Sequence, residues 1–121
     1  MQIKEALSYD DILLVPQYSD IVSRSEVDLG SNLGEYNRFE LPIVSSPMDT
    51  ITETEMAGVM NSAGGLAIIH RYNSIETQAQ LVQNSLNING DRCAAAVGIT
   101  GDYFERSQEL VRSGAKILCL D

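Results

Sequence analysis

The sequence predicts an α/β fold in which parallel strands alternate with helices. Four short apolar runs, at 41–44, 66–69, 94–99 and 117–120, are each nearly continuous rather than alternating. Such runs are typical of strands that are covered on both faces in a parallel sheet. The stretches between them have helical spacing of apolar residues and end at glycines. The predicted order is therefore β-α-β-α-β-α-β.

The first helix is predicted between the first two apolar runs. Thr52 and Glu55 have the spacing of a capping box, in which the side chains satisfy the first amides of a helix. Gly64 and Gly65 are expected to end it. Its apolar residues follow at helical spacing and are Met56, Val59, Met60 and Ala63.

The second helix is predicted to begin after Ser74, whose hydroxyl can cap it, and to end near Asn89 and Gly90. One apolar face is formed by Ala79, Val82 and Leu86.

The third helix is predicted to begin with a second capping box, formed by Asp102 and Glu105. Phe104 and Val111 are expected to face inward, and Gly114 is expected to end the helix.

The length limits how much of a barrel this chain can form. The apolar runs begin roughly 25 residues apart, close to the ~30 residues per unit of a TIM (β/α)8 barrel. A closed barrel needs roughly 200 residues or more, whereas the chain has 121. We therefore expect residues 41–121 to form the first half of such a barrel, and residues 1–40 to form an N-terminal extension on its base. Within the extension, 9–16 and 27–29 are short candidate strands.

Composition and charge exclude several classes of partner. Lys and Arg number 8 and Asp and Glu 17, a net charge of −9 that argues against nucleic-acid binding. No run approaches the ~20 apolar residues of a membrane span, and the first residues lack a signal-peptide pattern, so a cytoplasmic protein is expected. Cys93 and Cys119 have no metal-ligand spacing; no metal site is predicted, and both are expected to be reduced.

Ligands of parallel α/β proteins bind beyond the carboxyl ends of the strands, here at 45–50, 70–74, 99–102 and Asp121. At the first place, Ser45 and Ser46 could bond a phosphate, and the Met48 thioether could pack on a flat base. The alternative is a turn in which the serines satisfy backbone groups and Met48 belongs to the core.

Three other residues at these places have both a functional and a structural interpretation. His70 could carry protons or contact a ligand, or it could bond a neighbouring loop. Arg71 is suited to hold a phosphate or stack on a base, or it could be a solvated surface residue. Asp121 could accept hydrogen bonds from ribose hydroxyls, or it could be a polar strand end. The glycines of 97–101 fit no phosphate-binding motif.

Several segments resemble the IMP dehydrogenase and GMP reductase family in order and spacing. They are YDDILLVP at 9–16, EVDL at 26–29, LPIVSSPMDT at 41–50 followed by Glu53 and Met56-Ala57, the stretch from Gly64-Gly65 to His70, and LCLD at 118–121. The resemblance covers essentially the whole chain, and the SSPMDT stretch is highly specific. Members are tetrameric barrel enzymes that interconvert purine mononucleotides with a nicotinamide cofactor, through a covalent thioimidate on a loop cysteine.

The resemblance implies roles for individual residues of this chain. It implies that Ser46 contacts the nucleotide phosphate and that Met48 packs on the purine base. It also implies that Arg71 lies near the cofactor and that Asp121 binds a cofactor ribose.

The resemblance also implies which groups the chain does not contain. The family's catalytic cysteine, the threonine beside it, the potassium-binding loop and the phosphate-binding glycines belong to the C-terminal half of the barrel. We therefore expect no catalytic residue and no potassium ligand in this chain, and neither Cys93 nor Cys119 can replace the nucleophile. The expected partners are a purine mononucleotide, the C-terminal half of the barrel or another copy of the chain, and the family's homotetramer.

Three functions are left open. The SSPM stretch and Thr52-Glu53 look like IMP dehydrogenase, which converts IMP to XMP with NAD in guanine nucleotide biosynthesis, and we favour this function. Ser23-Arg24 looks like the segment with which GMP reductases, which convert GMP to IMP, contact NADPH. The CBS pair that many IMP dehydrogenases insert before the third strand is absent, since only residues 87–92 lie there. The third function is a non-catalytic half-barrel that binds a nucleotide or assembles with itself through its open strand edges.

Overall fold

Two sheets and three helices form the described part of the chain. The structure, a computed structural model, describes residues 4–35, 37–89 and 92–121. In chain order the elements are β1 (Ser31–Leu33), β2 (Asn37–Phe39), β3 (Val44–Ser45), α1 (Thr54–Ser62), β4 (Leu66–Ile69), α2 (Ile75–Asn89), β5 (Ala94–Val97), α3 (Tyr103–Arg112) and β6 (Ile117–Leu120).

The larger sheet is parallel throughout and has the order β3-β4-β5-β6. One helix lies between each pair of successive strands, as parallel neighbours require. The predicted α/β fold, with four parallel strands and three helices, is confirmed. Closure into a barrel stays a prediction.

Two strands differ in their bounds from the prediction. The strand predicted at 41–44 covers only Val44 and Ser45, because Pro42 has no amide hydrogen for the sheet and the Ile43 amide bonds back to the Leu41 carbonyl at 2.8 Å. The strand predicted at 94–99 ends at Val97. Ser45 therefore belongs to a strand and not to the following loop.

The main core lies between the sheet and the helices. Its residues include Ala57, Ala67, Ile69, Val82, Ala95, Val97 and Leu110. A smaller cluster of Phe39, Leu66 and Ala94 forms separately. Neighbouring residues of a strand point to opposite faces, so Leu66 and Ala67 mark the two sides of the sheet.

Helix α1 begins one residue later than the predicted capping box requires. The Thr52 hydroxyl bonds elsewhere, and Glu53 occupies the N-cap position without a side-chain bond. The predicted capping box is therefore wrong. The predicted end is correct, since Gly64 follows the helix with a φ of 79°.

The buried face of α1 also differs from the predicted one. Of the four apolar residues, Met60 packs against the core, whereas Met56 and Val59 are 38% and 65% exposed. Ala57 and Gly58 are buried instead. These small residues let α1 approach Ile88 of α2 closely.

Helix α2 agrees with the prediction. The Ser74 hydroxyl accepts a hydrogen bond from the Thr77 amide at 3.2 Å and caps the helix. Ala79 and Val82 are buried, and Leu86 packs against the core. Gly90, which was expected near the end of this helix, lies outside the described residues.

Helix α3 has the predicted position but not the predicted inward face. Asp102 occupies the N-cap position without the expected capping bond, and Gly114 follows the helix with a φ of 105°. Phe104 and Val111 are 59% and 55% exposed. The residues that are buried are Arg106 and Leu110.

The N-terminal region contains a hairpin, but not the two predicted strands. Residues 9–16 form only one short 3-10 turn. Residues 27–29 form no strand, because the Asp28 carboxylate accepts hydrogen bonds from the Gly30 amide and the Arg38 guanidinium and so makes a turn. The hairpin contacts the sheet through Phe39, at the first residues of β4 and β5. The division of the chain at residue 40 stays a prediction. Among the described residues, no helix could span a membrane.

Candidate functional site

The carboxyl ends of the four parallel strands lie at one edge of the sheet, which we name the carboxyl edge. It consists of the loops 46–53, 70–74 and 98–102 and of Asp121. Helix N-termini and loop side chains converge at such an edge, which makes it the usual ligand site of parallel α/β folds. Of the residues for which the sequence predicts ligand contacts, Ser46, Met48, Arg71 and Asp121 lie here.

The loop 46–53 is closed by its own hydrogen bonds. The Thr52 hydroxyl, which is fully buried, donates to the Ser46 carbonyl at 2.6 Å. The Met48 carbonyl accepts from the Ile51 amide at 3.0 Å and from the Thr52 amide at 2.9 Å. The loop is thus held in one shape while Ser46 and Met48 stay exposed to solvent. This exposure is inconsistent with the alternative that Met48 belongs to the core.

Ser45 and Ser46 differ in their surroundings. Ser45 is the last residue of β3 and pairs with Ala67, which belongs to the core beneath the helices, whereas Ser46 follows the strand and is exposed. Ser45 is nearly buried, and its hydroxyl has no hydrogen-bond partner within the described part of the chain. Only Ser46 is therefore placed to contact a ligand.

His70 connects two loops of the carboxyl edge. It is almost fully buried; its Nδ1 accepts from the Tyr72 amide at 3.2 Å, and its Nε2 lies 2.9 Å from a Glu53 carboxylate oxygen. Because Nδ1 is an acceptor, Nε2 carries the ring hydrogen and donates a hydrogen bond to Glu53. Both ring nitrogens are engaged with protein groups. The structural interpretation of His70, as a residue bonded to a neighbouring loop, is the one that this geometry supports.

Arg71 and Asp121 form an ion pair. The Arg71 Nε donates to Asp121 Oδ2 at 2.9 Å, and each side chain is about one third exposed. The Arg71 guanidinium also lies 5.3 Å from the centre of the Tyr72 ring. Two residues that were predicted separately to contact a cofactor are thus in direct contact with each other.

A buried arginine, which the sequence reasoning missed, connects two further loops. Arg106 donates to both Asp102 carboxylate oxygens at 2.7 and 3.1 Å, to the Asn73 carbonyl at 3.0 Å and to Gln78 Oε1 at 2.8 Å. The Gln78 amide in turn donates to the Ala96 carbonyl at 2.8 Å. Hydrogen bonds from Arg106 hold the pKa of the Asp102 carboxyl below its usual range. The sequence signal was the Asp102-to-Arg106 spacing of four residues on one helix face.

A family model described as "IMP dehydrogenase / GMP reductase domain" matches residues 6–121, nearly the whole chain. The chain belongs to the IMP dehydrogenase / GMP reductase family. This confirms the resemblance that the SSPMDT stretch indicated.

Curated relatives in this family are inosine-5'-monophosphate dehydrogenases. The protein of Nitrosopumilus maritimus is 43% identical over 103 residues, which cover 76% of this chain and 22% of the relative. The protein of Aquifex aeolicus is 45% identical over 82 residues, or 68% of this chain and 16% of the relative. That of Staphylococcus saprophyticus is 46% identical over 80 residues, or 66% and 16%. The chain therefore spans only about a fifth of the length of the relatives it matches.

Two candidate residues of this IMP dehydrogenase / GMP reductase domain, Ser23 and Arg24, lie on a short turn away from the loops of the carboxyl edge in the sequence. Ser23 caps a short 3-10 turn, where it bonds with Ser25 and Glu26, and Arg24 is exposed on that turn. In the described ranges no hydrogen bond joins either residue to the carboxyl edge.

The two cysteines are free thiols, one beside and one within the strands of the parallel sheet. Cys93 is buried before β5 and accepts a hydrogen bond from the Ser85 hydroxyl at 3.2 Å. Burial raises the pKa of the Cys93 thiol, which disfavours the reactive thiolate. Cys119 lies within β6 and is also a free thiol. In the part of the chain that the structure describes, no three metal-ligating side chains form a cluster.

Proposed function

We propose that this chain forms the N-terminal half of the (β/α)8 barrel of an IMP dehydrogenase, which oxidises IMP to XMP with NAD and water. One observation carries the proposal, namely that Ser46, Met48, Arg71 and Asp121 all lie at the carboxyl edge of the parallel sheet. In this proposal the chain supplies one wall of the nucleotide and cofactor site. Activity requires the C-terminal half, which holds the catalytic groups and the potassium site, and the whole enzyme is a cytoplasmic homotetramer.

The loop 46–53 would bind the purine nucleotide. The exposed Ser46 hydroxyl can donate to a phosphate oxygen, and the exposed Met48 thioether can pack on the flat purine base. The loop is closed by the Thr52 hydroxyl. A loop that is ordered before binding loses less conformational entropy when the ligand binds.

Asp121 would bind the ribose of NAD, which accepts a hydride from the substrate when it is bound. The ion pair with Arg71 uses Oδ2 of the carboxylate, and the carboxylate has a second oxygen that can accept from ribose hydroxyls. The side chain is one third exposed and so is accessible from solvent. This acceptor therefore fits the ribose of a nicotinamide dinucleotide.

A GMP reductase that uses NADPH is the second candidate function. It is favoured by Ser23 and Arg24, because an exposed hydroxyl and guanidinium on one short turn can bind the additional phosphate of NADPH. The two reactions are distinguished by whether NADH is formed from IMP or NADPH is oxidised with GMP.

A non-catalytic half-barrel that assembles with itself is the third candidate. It is favoured by the exposed apolar residues of the two outer strands, which include Val44 of β3 and Leu120 of β6. Strands with open edges pair readily with other strands.

Co-expression of two barrel halves tests the proposal. The chain is produced together with the C-terminal half of the Nitrosopumilus maritimus relative, and NADH formation from IMP and NADPH oxidation with GMP are both measured. We expect NADH formation only when both halves are present. The two halves of the relative itself serve as the matched control. If the control pair is active and the complex containing this chain forms but has neither activity, the enzymatic proposal is wrong.

A further inference from the structure

The segment 70–73, which follows β4, contacts two other parts of the carboxyl edge directly and the third through Arg106. His70 bonds Glu53 of the first loop, and Arg71 bonds Asp121 after β6. The Asn73 carbonyl accepts from the buried Arg106, which also holds Asp102 of the third loop. The four strand ends are thus connected through four consecutive residues.

Arg71 must cross one strand end to reach its partner. The sheet order is β4-β5-β6, so the end of β5 lies between Arg71 and Asp121. The residue at that end is Gly98, where an added Cβ would lie 3.5 Å from the Arg71 Nη1. A methyl group fits at this distance, but a longer side chain would occupy the path of the guanidinium.

The backbone on both sides of Arg71 is fixed by buried groups. His70 is only 2% exposed and is bonded at both ring nitrogens, and the side chain of Arg106, which holds the Asn73 carbonyl, is 8% exposed. The guanidinium is further held against the Tyr72 ring. Arg71 is therefore a fixed group against which the Asp121 carboxylate is oriented.

We propose that Arg71 is a positioning residue that orients Asp121 for the cofactor ribose, and not a second direct cofactor contact; this inference rests on the proposed function. An unpaired aspartate at the end of a strand rotates between rotamers, and fixing one of them lowers the entropy lost on binding. The pair fixes Oδ2 and leaves the other oxygen for a ribose hydroxyl.

A double-mutant cycle on the complex of the two barrel halves tests this inference. We expect Asp121→Asn to raise the KM for NAD about tenfold, as for a lost hydrogen bond to a charged group. Arg71→Ala should raise it about threefold, with kcat and the KM for IMP unchanged, and Arg71→Lys should restore part of the loss. Arg71→Ala combined with Asp121→Asn should be no worse than Asp121→Asn alone. Effects that multiply would mean that Arg71 contacts the cofactor directly, and would overturn the inference.

The same cycle is measured in urea unfolding of the 121-residue chain alone. We expect the two substitutions to be coupled, because each removes the same ion pair. Absence of coupling would overturn the inference whether or not the complex is active. An inactive complex with coupled substitutions would instead contradict the proposed function and leave the Arg71–Asp121 contact supported. Arg112→Ala, which removes an exposed pair with Glu109 on α3, is the matched control for the loss of an arginine.

Discussion

Among single residues, Thr52 has the clearest effect on the proposed nucleotide site. Its hydroxyl donates to the Ser46 carbonyl, and its side chain is completely buried. The spacing to Glu55 suits a capping box equally well, in which the hydroxyl would accept from a helix amide, so the sequence alone predicted the wrong partner. Which partner a hydroxyl bonds depends on the path of the loop, and residue spacing does not encode that path.

Thr52→Val tests this bond with a side chain of nearly the same shape. We expect a loss of about 1 kcal/mol in the free energy of unfolding, because the buried donor is removed and the Ser46 carbonyl loses a partner. The measurement is urea denaturation of the chain. Thr54→Val is the matched control, since the Thr54 hydroxyl lies 3.5 Å from its acceptor, the Leu81 carbonyl, and should contribute little. Equal effects of the two substitutions would contradict the role of Thr52.

The positions of the candidate ligand residues could be predicted in part. Ser46 and Asp121 directly follow apolar runs, and the rule that parallel strands end at one edge is enough to bring them to the same side. The contact between Arg71 and Asp121 could not be predicted, because it spans 50 residues along the chain. It also requires that the side chain at position 98 be no larger than a methyl group, which only the packed structure shows.

Among the elements, the helices show why a pattern can give the correct boundaries and the wrong buried face. Phe104 and Val111 are apolar but exposed, whereas the charged Arg106 is buried. Three residues supply acceptors for the guanidinium, namely Asp102 before α3, Asn73 of the loop 70–74 and Gln78 of α2. A buried charged group is tolerated when each of its hydrogen-bond donors has an acceptor. A hydrophobicity pattern contains no information about where those acceptors lie.

Gly114 follows α3 and Gly101 precedes it, and substitutions at the two glycines test how much their backbone conformations contribute to stability. Both have positive φ, 105° and 71°, so alanine at either position should cost about 1 kcal/mol in backbone strain. At Gly114 an added Cβ would also lie 2.6 Å from Leu86 Cδ1, whereas nothing lies within 4 Å at Gly101. We therefore expect Gly114→Ala to lower the unfolding midpoint in urea more than Gly101→Ala. A smaller or equal effect at Gly114 would show that α2 adjusts without loss of stability.

For the whole molecule, the important feature is that β3 and β6 are the outer strands of the sheet and pair with no further strand among the described residues. Leu118 pairs with Ala95, which belongs to the core beneath the helices, but Leu118 and Leu120 are 37% and 74% exposed. The predicted continuous apolar run at 117–120 is therefore a strand whose helix-side face is not covered within the described residues. A surface of this kind usually marks an interface.

The open edge predicts that the isolated chain associates. We expect sizing chromatography to show species larger than the 13.2 kDa monomer, because exposed apolar side chains and unpaired strand edges promote association. Leu118→Lys combined with Leu120→Lys should shift the chain toward the monomer. Gln83→Lys, at an exposed position of α2, is the control for added charge. A wild-type chain that elutes as a monomer would contradict both self-assembly and the need for a second half.

The passage of Arg71 over Gly98 has a consequence for how these positions change during evolution. A side chain longer than a methyl at 98 would exclude the guanidinium from Asp121, so the identities at 71, 98 and 121 are not independent. Where a family member has a short residue at the position of Arg71, the restriction on position 98 is lifted and larger residues can accumulate there. The three positions should therefore covary as a group, although the first and the last are separated by 50 residues.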